Sequence, residues 1–557
     1  MSKKTSLSSY LYKIADDKTD KMLMNKIREQ DRRPDATDHR LPTFTLLVGP
    51  SPFTMPRGWE YYLTAPFEGV SYIATVSANA GFPTRIVDVR FEPDPLNAAF
   101  QKIMEDTDVL GIAAFEDNFP FVRELIEKVK EKRPDMPVIC GGSLATSVPY
   151  LFMSHTKTDI AVISEGELTI LELLESYSKD RIERDLPNIH GIWYRAKNGE
   201  IVKNTPRGQA PDLDFLPKMR LDLWPQSREA KGLQPQVITS YSRGCKMDCS
   251  FCFRTTPQVS SKSQEKFSED IAWLVDQYSV NFLFFTDLTF NADTRQVKEM
   301  CEVLEGHNLR WTCMCRCADA DKEKLDAIAK AGCDIILYGV ESLGAAALKE
   351  VRKPTTENIS IRAMHRTFDA GIRFGALLIV GLPGETEEGL DHMAKWAETY
   401  NHVTRVKYLQ ALPGTPIYYD FLKKGILKNE IDHLKWLSIE QALYEDEFLN
   451  VNGLPEEAMR RAYKRMYDSY QPGPVMSFHH WPDHFSYFDP NPNDGKARST
   501  DYAGKNWRSE FASAGPSLIP GSERFTLDKT GTKEMVQQGA QLVKCGAKEM
   551  IGGQHAE

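Results

Sequence analysis

The stretch that decides the fold reads Tyr241-Ser242-Arg243-Gly244-Cys245-Lys246-Met247-Asp248-Cys249-Ser250-Phe251-Cys252-Phe253. Its three cysteines follow a C-x3-C-x2-C spacing, and an aromatic residue stands on each side of Cys252. Closely spaced thiolates on one loop can bind three irons of a cubane cluster and leave the fourth iron open to a small ligand. A structural zinc site needs a fourth Cys or His nearby, and the next one after Cys252 is Cys301. The spacing therefore favours a [4Fe–4S] cluster on Cys245, Cys249 and Cys252.

Composition limits the class of protein. The chain has 557 residues, a formal net charge of −9 and 41% hydrophobic residues, which predicts two to four domains with sizeable cores. The acidic balance argues against a nucleic-acid surface. The sequence has neither an apolar run long enough to span a bilayer nor the apolar segment of a secretory signal. Ten cysteines in such a chain predict a reducing, cytoplasmic and anaerobic setting.

Between residues 43 and 186, after a charged leader at 1–42, short apolar strands alternate with helical segments. This alternation predicts a doubly wound parallel sheet of the α/β class. Ligands of such sheets lie beyond the carboxyl ends of the strands, where glycines let a backbone approach a large ligand. The candidate binding residues at these ends are Ser51, Glu116, Asn118, Gly141, Gly142, Ser143, Glu165, Gly166 and Glu167.

The rest of the chain divides into three parts. Residues 187–236 form a Pro-rich connector with a small hairpin from Ile189 to Val202, which turns at an Asn-Gly pair typical of tight hairpins. Residues 237–430 contain six strand–helix units, which predict a partial (β/α)6 barrel with its chemistry at the strand carboxyl ends. Residues 431–557 are expected to be a helical and wrapping segment, with helices at 437–444, at 456–470 and near 532–543.

Four further motifs follow the cysteine loop at predicted strand ends. They are Asp287-x-x-Phe290, Gly339-x-Glu341-Ser342, Gly381-x-Pro383-Gly384-Glu385 and Pro413-Gly414-Thr415-Pro416. Taken in this order, residues 237–420 resemble the catalytic core of the radical S-adenosylmethionine (SAM) enzymes. The resemblance implies that the three loop cysteines hold the cluster and that SAM binds its open iron.

The same resemblance implies roles for other residues. Phe251 is expected beside the adenine of SAM, and Glu341 is expected to accept hydrogen bonds from the ribose or the ammonium group. Gly381 and Gly384 are expected to let the backbone close on the adenosine. Three further residues are assigned to the methionine end of SAM: Thr286 and Asp287, which replace a Gly-Gly-Glu segment of the family, and Arg316, for which a structural ion pair is the open alternative.

The N-terminal motifs resemble the cobalamin-binding domain that precedes the core in one large subgroup. There, a Gly-Gly loop and a later Gly-Glu loop surround the corrin and its nucleotide tail. A flavodoxin-like regulatory domain, or one whose corrin site is lost, remains an alternative. No Asp-x-His-x-x-Gly motif occurs here, so His155 and His190 are expected to be surface or core residues, and cobalt is expected to carry no protein histidine.

Together these features predict a cobalamin-dependent radical SAM methyltransferase. It would move a methyl group from SAM by way of methylcobalamin to an unactivated carbon, or to phosphorus, of a biosynthetic intermediate. A cyclase or dehydrogenase with the same cofactors is the alternative, and a carrier without turnover is a third. The implied partners are a natural-product or lipid intermediate as substrate and a flavodoxin or ferredoxin as electron donor, with no nucleic acid.

Two other groups could bind metal. The first group is five cysteines whose pattern is typical of buried core thiols and fits a second cluster less well: Cys301, Cys313, Cys315, Cys317 and Cys333. The loop with His479, His480 and His484 fits a lid or packing segment better than a metal site.

Overall fold

The computed structural model of the chain describes residues 18–30, 41–50, 65–90, 92–225, 237–256, 258–438 and 448–469. The strands are β1 Phe44–Val48, β2 Thr84–Asp88, β3 Val109–Ala113, β4 Val138–Gly141, β5 Ile160–Val162, β6 Ile192–Arg195, β7 Ile201–Lys203, β8 Val237–Thr239, β9 Ser242–Arg243, β10 Ser260–Ser261, β11 Phe282–Phe285, β12 Arg310–Cys315, β13 Cys333–Glu341, β14 Arg373–Val380 and β15 Val403–Tyr408.

The α-helices lie between and after these strands. They are α1 Lys18–Gln30, α2 Glu68–Asn79, α3 Pro95–Glu105, α4 Phe119–Lys132, α5 Ser143–Ser147, α6 Pro149–Ser154, α7 Glu167–Ser178, α8 Ile182–Asp185, α9 Gln264–Tyr278, α10 Thr294–Glu305, α11 Lys322–Lys330, α12 Ala345–Glu350, α13 Glu357–Asp369, α14 Glu387–Tyr400, α15 Pro416–Lys423, α16 Glu430–Leu437 and α17 Glu456–Ser469.

The N-terminal sheet has seven strands in the order β2-β1-β3-β4-β5-β6-β7. Strands β1 to β5 pair in parallel, with helices on both faces, as the alternating pattern predicts. The hairpin predicted at 189–202 is present as β6 and β7. It adds two antiparallel strands to the edge of this sheet, so the hairpin belongs to the N-terminal fold.

The second sheet has six parallel strands in chain order, β8-β11-β12-β13-β14-β15, and does not close. It is the predicted partial barrel, and the α/β fold class is confirmed. Six of its helices are preceded by a residue whose side chain accepts the backbone N–H three positions on, which satisfies a free helix-end donor. These caps are Ser263, Asp293, Asp321, Thr356, Thr386 and Thr415.

After the last strand, the chain returns over the barrel. Helix α17 confirms the helix predicted at 456–470, and it packs on the barrel through Tyr463, whose ring stacks on Tyr408 with centroids 4.5 Å apart. The helix predicted at 437–444 is wrong at its start, because Leu437 ends α16 and the chain is described again only from 448. The histidine loop and the helix near 532 lie outside the described residues.

The carboxyl edges of the two sheets touch. The backbone N–H of Ile417 donates to the Ser250 carbonyl, and a Cβ placed on Gly414 would lie 2.9 Å from Ser147 Cβ and 3.1 Å from Phe253 Cε2. The cysteine loop therefore lies between the barrel and the end of the N-terminal sheet. Within the described ranges, no helix is long and apolar enough to cross a membrane.

Candidate active site

Asp287, at the end of β11, fixes the start of the cysteine loop. Its buried carboxylate accepts hydrogen bonds from the backbone N–H groups of Tyr241 (3.1 Å) and Ser242 (2.6 Å), and from the Ser242 hydroxyl at 2.6 Å. Burial raises the pKa of this carboxyl group to about 6. The side chain expected to meet the methionine amine is thus occupied by the protein, and its neighbour Thr286 bonds to the Thr239 carbonyl.

The loop then makes a turn that only glycine permits. Gly244 has φ +95°, and a Cβ on it would lie 1.7 Å from the Gln258 carbonyl oxygen. On the other side of the loop, the Arg254 guanidinium donates to the carbonyls of Cys245 (3.0 Å) and Met247. The loop is held by hydrogen bonds to its backbone, so its side chains remain available for a ligand.

The three thiols are buried or half-buried and none forms a disulfide. The Met247 N–H donates to Cys245 Sγ at 3.4 Å. Burial raises the pKa of Cys252 to about 11 and also raises that of Cys249. In the described part of the chain, no three Cys, His, Asp or Glu side chains already converge on one metal-binding point.

Beside the thiols lies an ion pair of which the sequence motifs mark only one partner, Glu341. Glu341, at the end of β13 with φ +66°, pairs with Lys353 Nζ at 2.8 Å. The Lys353 ammonium lowers the pKa of Cys249 against the larger effect of burial, and the Glu341 carboxylate raises it. A Cβ on Gly339 would lie within 2.8 Å of both charged groups. Glu341 is therefore close to the cysteine loop, and Lys353, which no spacing signal marks, is close to it as well.

Arg316 adopts the structural ion pair that was its alternative. Its Nη1 lies 3.2 Å from Asp319 Oδ2, and its backbone bonds to both ends of the Asn291 amide. The Arg316 charge still lowers the pKa of Cys249 slightly against burial. This guanidinium is therefore near the thiols but already paired.

The Gly381–Gly384 loop has the predicted shape. Both glycines have positive φ, and the Gly381 N–H donates to buried Glu385 at 2.7 Å. The other Glu385 oxygen accepts from the Ser342 hydroxyl at 2.9 Å, and the pKa of this carboxyl is raised to about 7 by burial. Glu385 thus links this loop to Ser342, the residue after Glu341. The Asn452 side chain accepts a hydrogen bond from the Gly384 N–H.

At the edge of the N-terminal sheet, the Gly-Gly loop offers space. Among the described residues, no atom lies within 4 Å of a Cβ on Gly141, whereas a Cβ on Gly142, at φ +105°, would lie 2.5 Å from the Ala114 carbonyl. Nearby, Glu116 Oε2 accepts from the Ser143 hydroxyl at 2.5 Å, and the enclosed Oε1 has no partner. An open cradle beside an unsatisfied carboxyl oxygen fits a ligand with amide or hydroxyl donors, such as the rim of a corrin.

Other predicted cobalamin contacts have side chains bound within the protein. Asn118 bonds to the backbone of Phe115 and Ala113. Glu165 and Glu167 both pair with Arg243 of the cysteine loop. Gly166 faces Ile73. Phe251, which was expected beside the adenine of SAM, packs against the apolar core. Ser51 lies outside the described residues.

The five cysteines considered for a second cluster, and His155, lie in the described residues as core or surface side chains. Cys301, Cys313, Cys315, Cys317 and Cys333 are buried thiols, as predicted. Cys313 and Cys315 lie 3.7 Å apart, and burial raises the pKa of Cys301 and Cys317 strongly. His155 is exposed, and its Nδ1 contacts the Leu151 carbonyl.

Comparisons with known proteins agree with this geometry. The model of the Radical SAM superfamily matches residues 239–397, and that of the B12 binding domain matches residues 61–174. An uncharacterised methyltransferase of Pyrococcus horikoshii is 27% identical over 361 residues, which are 63% of this chain and 76% of that protein. The anaerobic magnesium-protoporphyrin IX monomethyl ester cyclase of Rubrivivax gelatinosus is 28% identical over 306 residues, 53% of this chain and 54% of that protein.

The fold also matches a solved structure. The radical SAM methyltransferase TsrM of Kitasatospora setae, with cobalamin and a [4Fe–4S] cluster bound, superimposes with a TM-score of 0.59 at 16% identity, covering 85% of this chain and 98% of that one. The chain thus carries the two domains of the cobalamin-dependent radical SAM enzymes, a B12-binding domain followed by a radical SAM domain. Its cofactors are a [4Fe–4S] cluster, SAM and cobalamin.

The two neighbouring glycines provide a matched pair of variants. Gly141→Ala should fold normally and bind hydroxocobalamin more weakly, because the new methyl group occupies only the open cradle. Gly142→Ala should lower stability by about 1–3 kcal/mol, the usual cost of a strained backbone position, because its Cβ meets the Ala114 carbonyl. Thermal unfolding and absorbance titration measure the two effects. If the two variants had the same thermal stability and the same affinity for hydroxocobalamin, the assignment of open space at Gly141 to the ligand would be contradicted.

The buried Glu116 carboxyl should make stability depend on pH. Burial raises its pKa to about 7, so between pH 5 and 7 the folded chain holds a proton that the unfolded chain has released, and stability falls as pH rises. Glu116→Gln should remove this pH-dependent loss. Its free energy of unfolding should rise relative to that of wild type by roughly 2 kcal/mol between pH 5 and 8. Denaturant unfolding at several pH values measures it. A difference that does not change with pH would show that this carboxyl titrates normally.

Proposed function

We propose that the enzyme transfers a methyl group from SAM, through cobalamin, to an unactivated carbon or a phosphorus of a small-molecule intermediate. The observation that carries this proposal is the contact between the two candidate sites. The loop at Gly414 meets Ser147, which ends the helix after the Gly-Gly loop, and Phe253, which follows the last loop cysteine. A methyl carrier and a SAM-cleaving cluster must both reach one substrate, and this arrangement brings their loops together.

The chain's own residues suit each part of this chemistry. When bound, the cluster supplies the electron that cleaves SAM reductively, and cobalamin carries the methyl group. We assign the cluster to Cys245, Cys249 and Cys252. Lys353 and Glu341 offer a cation and an anion beside the thiols, which match the carboxylate and ammonium groups of methionine.

The face of the barrel sheet that points away from the helices is apolar and suits an apolar part of the substrate. Cys313 and Cys315 belong to the same buried cluster as Cys301 of α10, so Met314 between them points to the opposite side. There, Met314 and Leu377 pack half-buried against a small separate cluster of Phe284, Ile335 and Leu337. An apolar lining excludes water from the place where a reactive substrate would be held.

The cyclase relative supports a second candidate, a cyclase or dehydrogenase that uses the same cofactors without methylating. The two functions differ in their use of SAM. A methyltransferase consumes one SAM as methyl donor and one for reductive cleavage, whereas the alternative consumes only the second.

Replacing Cys245, Cys249 and Cys252 together by Ala should abolish the broad visible absorption near roughly 400 nm that thiolate-bound clusters show, together with all 5′-deoxyadenosine formation. Cys301→Ala removes a buried thiol outside the loop and serves as the control that keeps both. Anaerobic reconstitution, iron analysis and chromatography of the products measure these effects. Reductive SAM cleavage by the triple variant would refute the cluster assignment.

Turnover with methyl-labelled SAM separates the two candidate functions. Methyl transfer should yield S-adenosylhomocysteine and 5′-deoxyadenosine in about equal amounts, because each methyl delivered requires one of each. Mass spectrometry of candidate substrates should show the gain of one labelled methyl. Turnover that forms 5′-deoxyadenosine without S-adenosylhomocysteine, with no methyl gained, would replace this proposal by the cyclase or dehydrogenase.

A further inference from the structure

One short segment of the N-terminal sheet directs its polar side chains at the cysteine loop. Residues 164–167 follow β5 and lead into α7. The Arg243 guanidinium lies between two of their carboxylates, with Nη1 3.1 Å from Glu165 Oε1 and Nη2 2.8 Å from Glu167 Oε1. All three side chains are largely buried, and that of Glu167 is only 4% exposed. Such a shielded, two-sided contact holds its partners more firmly than a surface ion pair does.

The same segment has a second link to the loop. The Ser164 hydroxyl donates to the Thr255 carbonyl at 3.0 Å, three residues after Cys252. Ser164 has φ +68°, a strained conformation for a residue with a side chain. The loop is thus held at Arg243, before its first cysteine, and at Thr255, after its last one.

The segment also contacts the cobalamin side. The Ser164 N–H donates to the Thr146 hydroxyl at 3.0 Å, and Thr146 lies in the short helix that follows Gly141 and Gly142. Strands β4 and β5, which end at these two places, are neighbours in the sheet. The Gly-Gly loop and the segment whose carboxylates hold Arg243 are therefore joined by a direct hydrogen bond and by neighbouring strands.

Arg243 has little freedom to absorb such a movement. It forms β9 with Ser242, which Asp287 holds, and it precedes Gly244, whose turn leaves no room for a Cβ. Cys245 is the next residue after Gly244. The constrained backbone of Arg243 and Gly244 therefore links the guanidinium to the first thiol of the cysteine loop.

We propose that Arg243 is a positioning residue that couples the cobalamin site to the cluster loop, so that occupancy of either site changes affinity at the other. This inference rests on the placement of cobalamin at the carboxyl edge of the N-terminal sheet under the proposed function. Because binding linkage is reciprocal, the coupling can be measured from either side.

The test compares hydroxocobalamin binding by the full chain with and without the reconstituted cluster, under anaerobic conditions. In wild type, the cluster should tighten binding about tenfold, within the usual range of coupling between sites. In Arg243→Gln, the ratio of the two affinities should fall to about one, because the neutral amide cannot hold both carboxylates. The electron paramagnetic resonance signal of the reduced cluster should change on adding hydroxocobalamin in wild type and not in this variant.

Arg207→Gln is the matched control. Arg207 is a buried guanidinium that also pairs with two carboxylates, Asp20 and Glu172, but it does not contact the cysteine loop. This variant should keep the wild-type ratio and the wild-type change in the cluster signal. Arg243→Lys, which keeps the charge, should lose only part of the coupling, and it carries the test if Arg243→Gln does not fold.

The outcomes separate this inference from the proposed function. Wild type that binds no hydroxocobalamin overturns the proposed function and the coupling with it. Wild type that binds it equally with and without the cluster overturns the coupling alone. An unchanged ratio in both Arg243 variants, or an equal loss in the Arg207 control, assigns Arg243 a structural role only.

Discussion

The Asp287 carboxylate is the interaction on which the site depends. It is fully buried and accepts three hydrogen bonds from Tyr241 and Ser242. Burying a carboxyl group is costly unless its oxygens find donors, and the start of the cysteine loop provides them. The end of one barrel strand thereby determines where the loop leaves the neighbouring strand, and every thiol position follows from that point.

Much of this architecture was predictable from the sequence, because strand and helix periods differ and turns are marked by glycine. The helix Glu456–Ser469 lies where the sequence predicts a helix at 456–470, and the barrel strands lie where apolar runs precede the motifs. The hairpin after residue 189 was also predicted. Its addition to the N-terminal sheet was not, because pairing between distant segments leaves no mark in a local pattern.

The site was predictable in position and less so in the roles of its side chains. Gly141 has open space beside it, but Asn118, Glu165, Glu167 and Asp287 are bound by other protein groups. A polar residue at a strand end can face a ligand or hold a neighbouring loop, and both uses give the same sequence. Lys353 was missed for a related reason: it follows a helix away from any strand end, and only the folded chain brings it to Glu341.

The hairpin at the edge of the N-terminal sheet has a consequence for the chain before its cofactors are in place. An exposed edge of a parallel sheet offers unpaired backbone groups to any other extended chain. Here the edge strand is β7, which has only three residues and ends at the exposed Lys203, whose ammonium group lies 5.5 Å from the centre of the Trp193 ring. A short edge strand that ends in a charge pairs poorly with a second molecule. The hairpin thus protects this edge against aggregation during the interval between synthesis and assembly of the cluster.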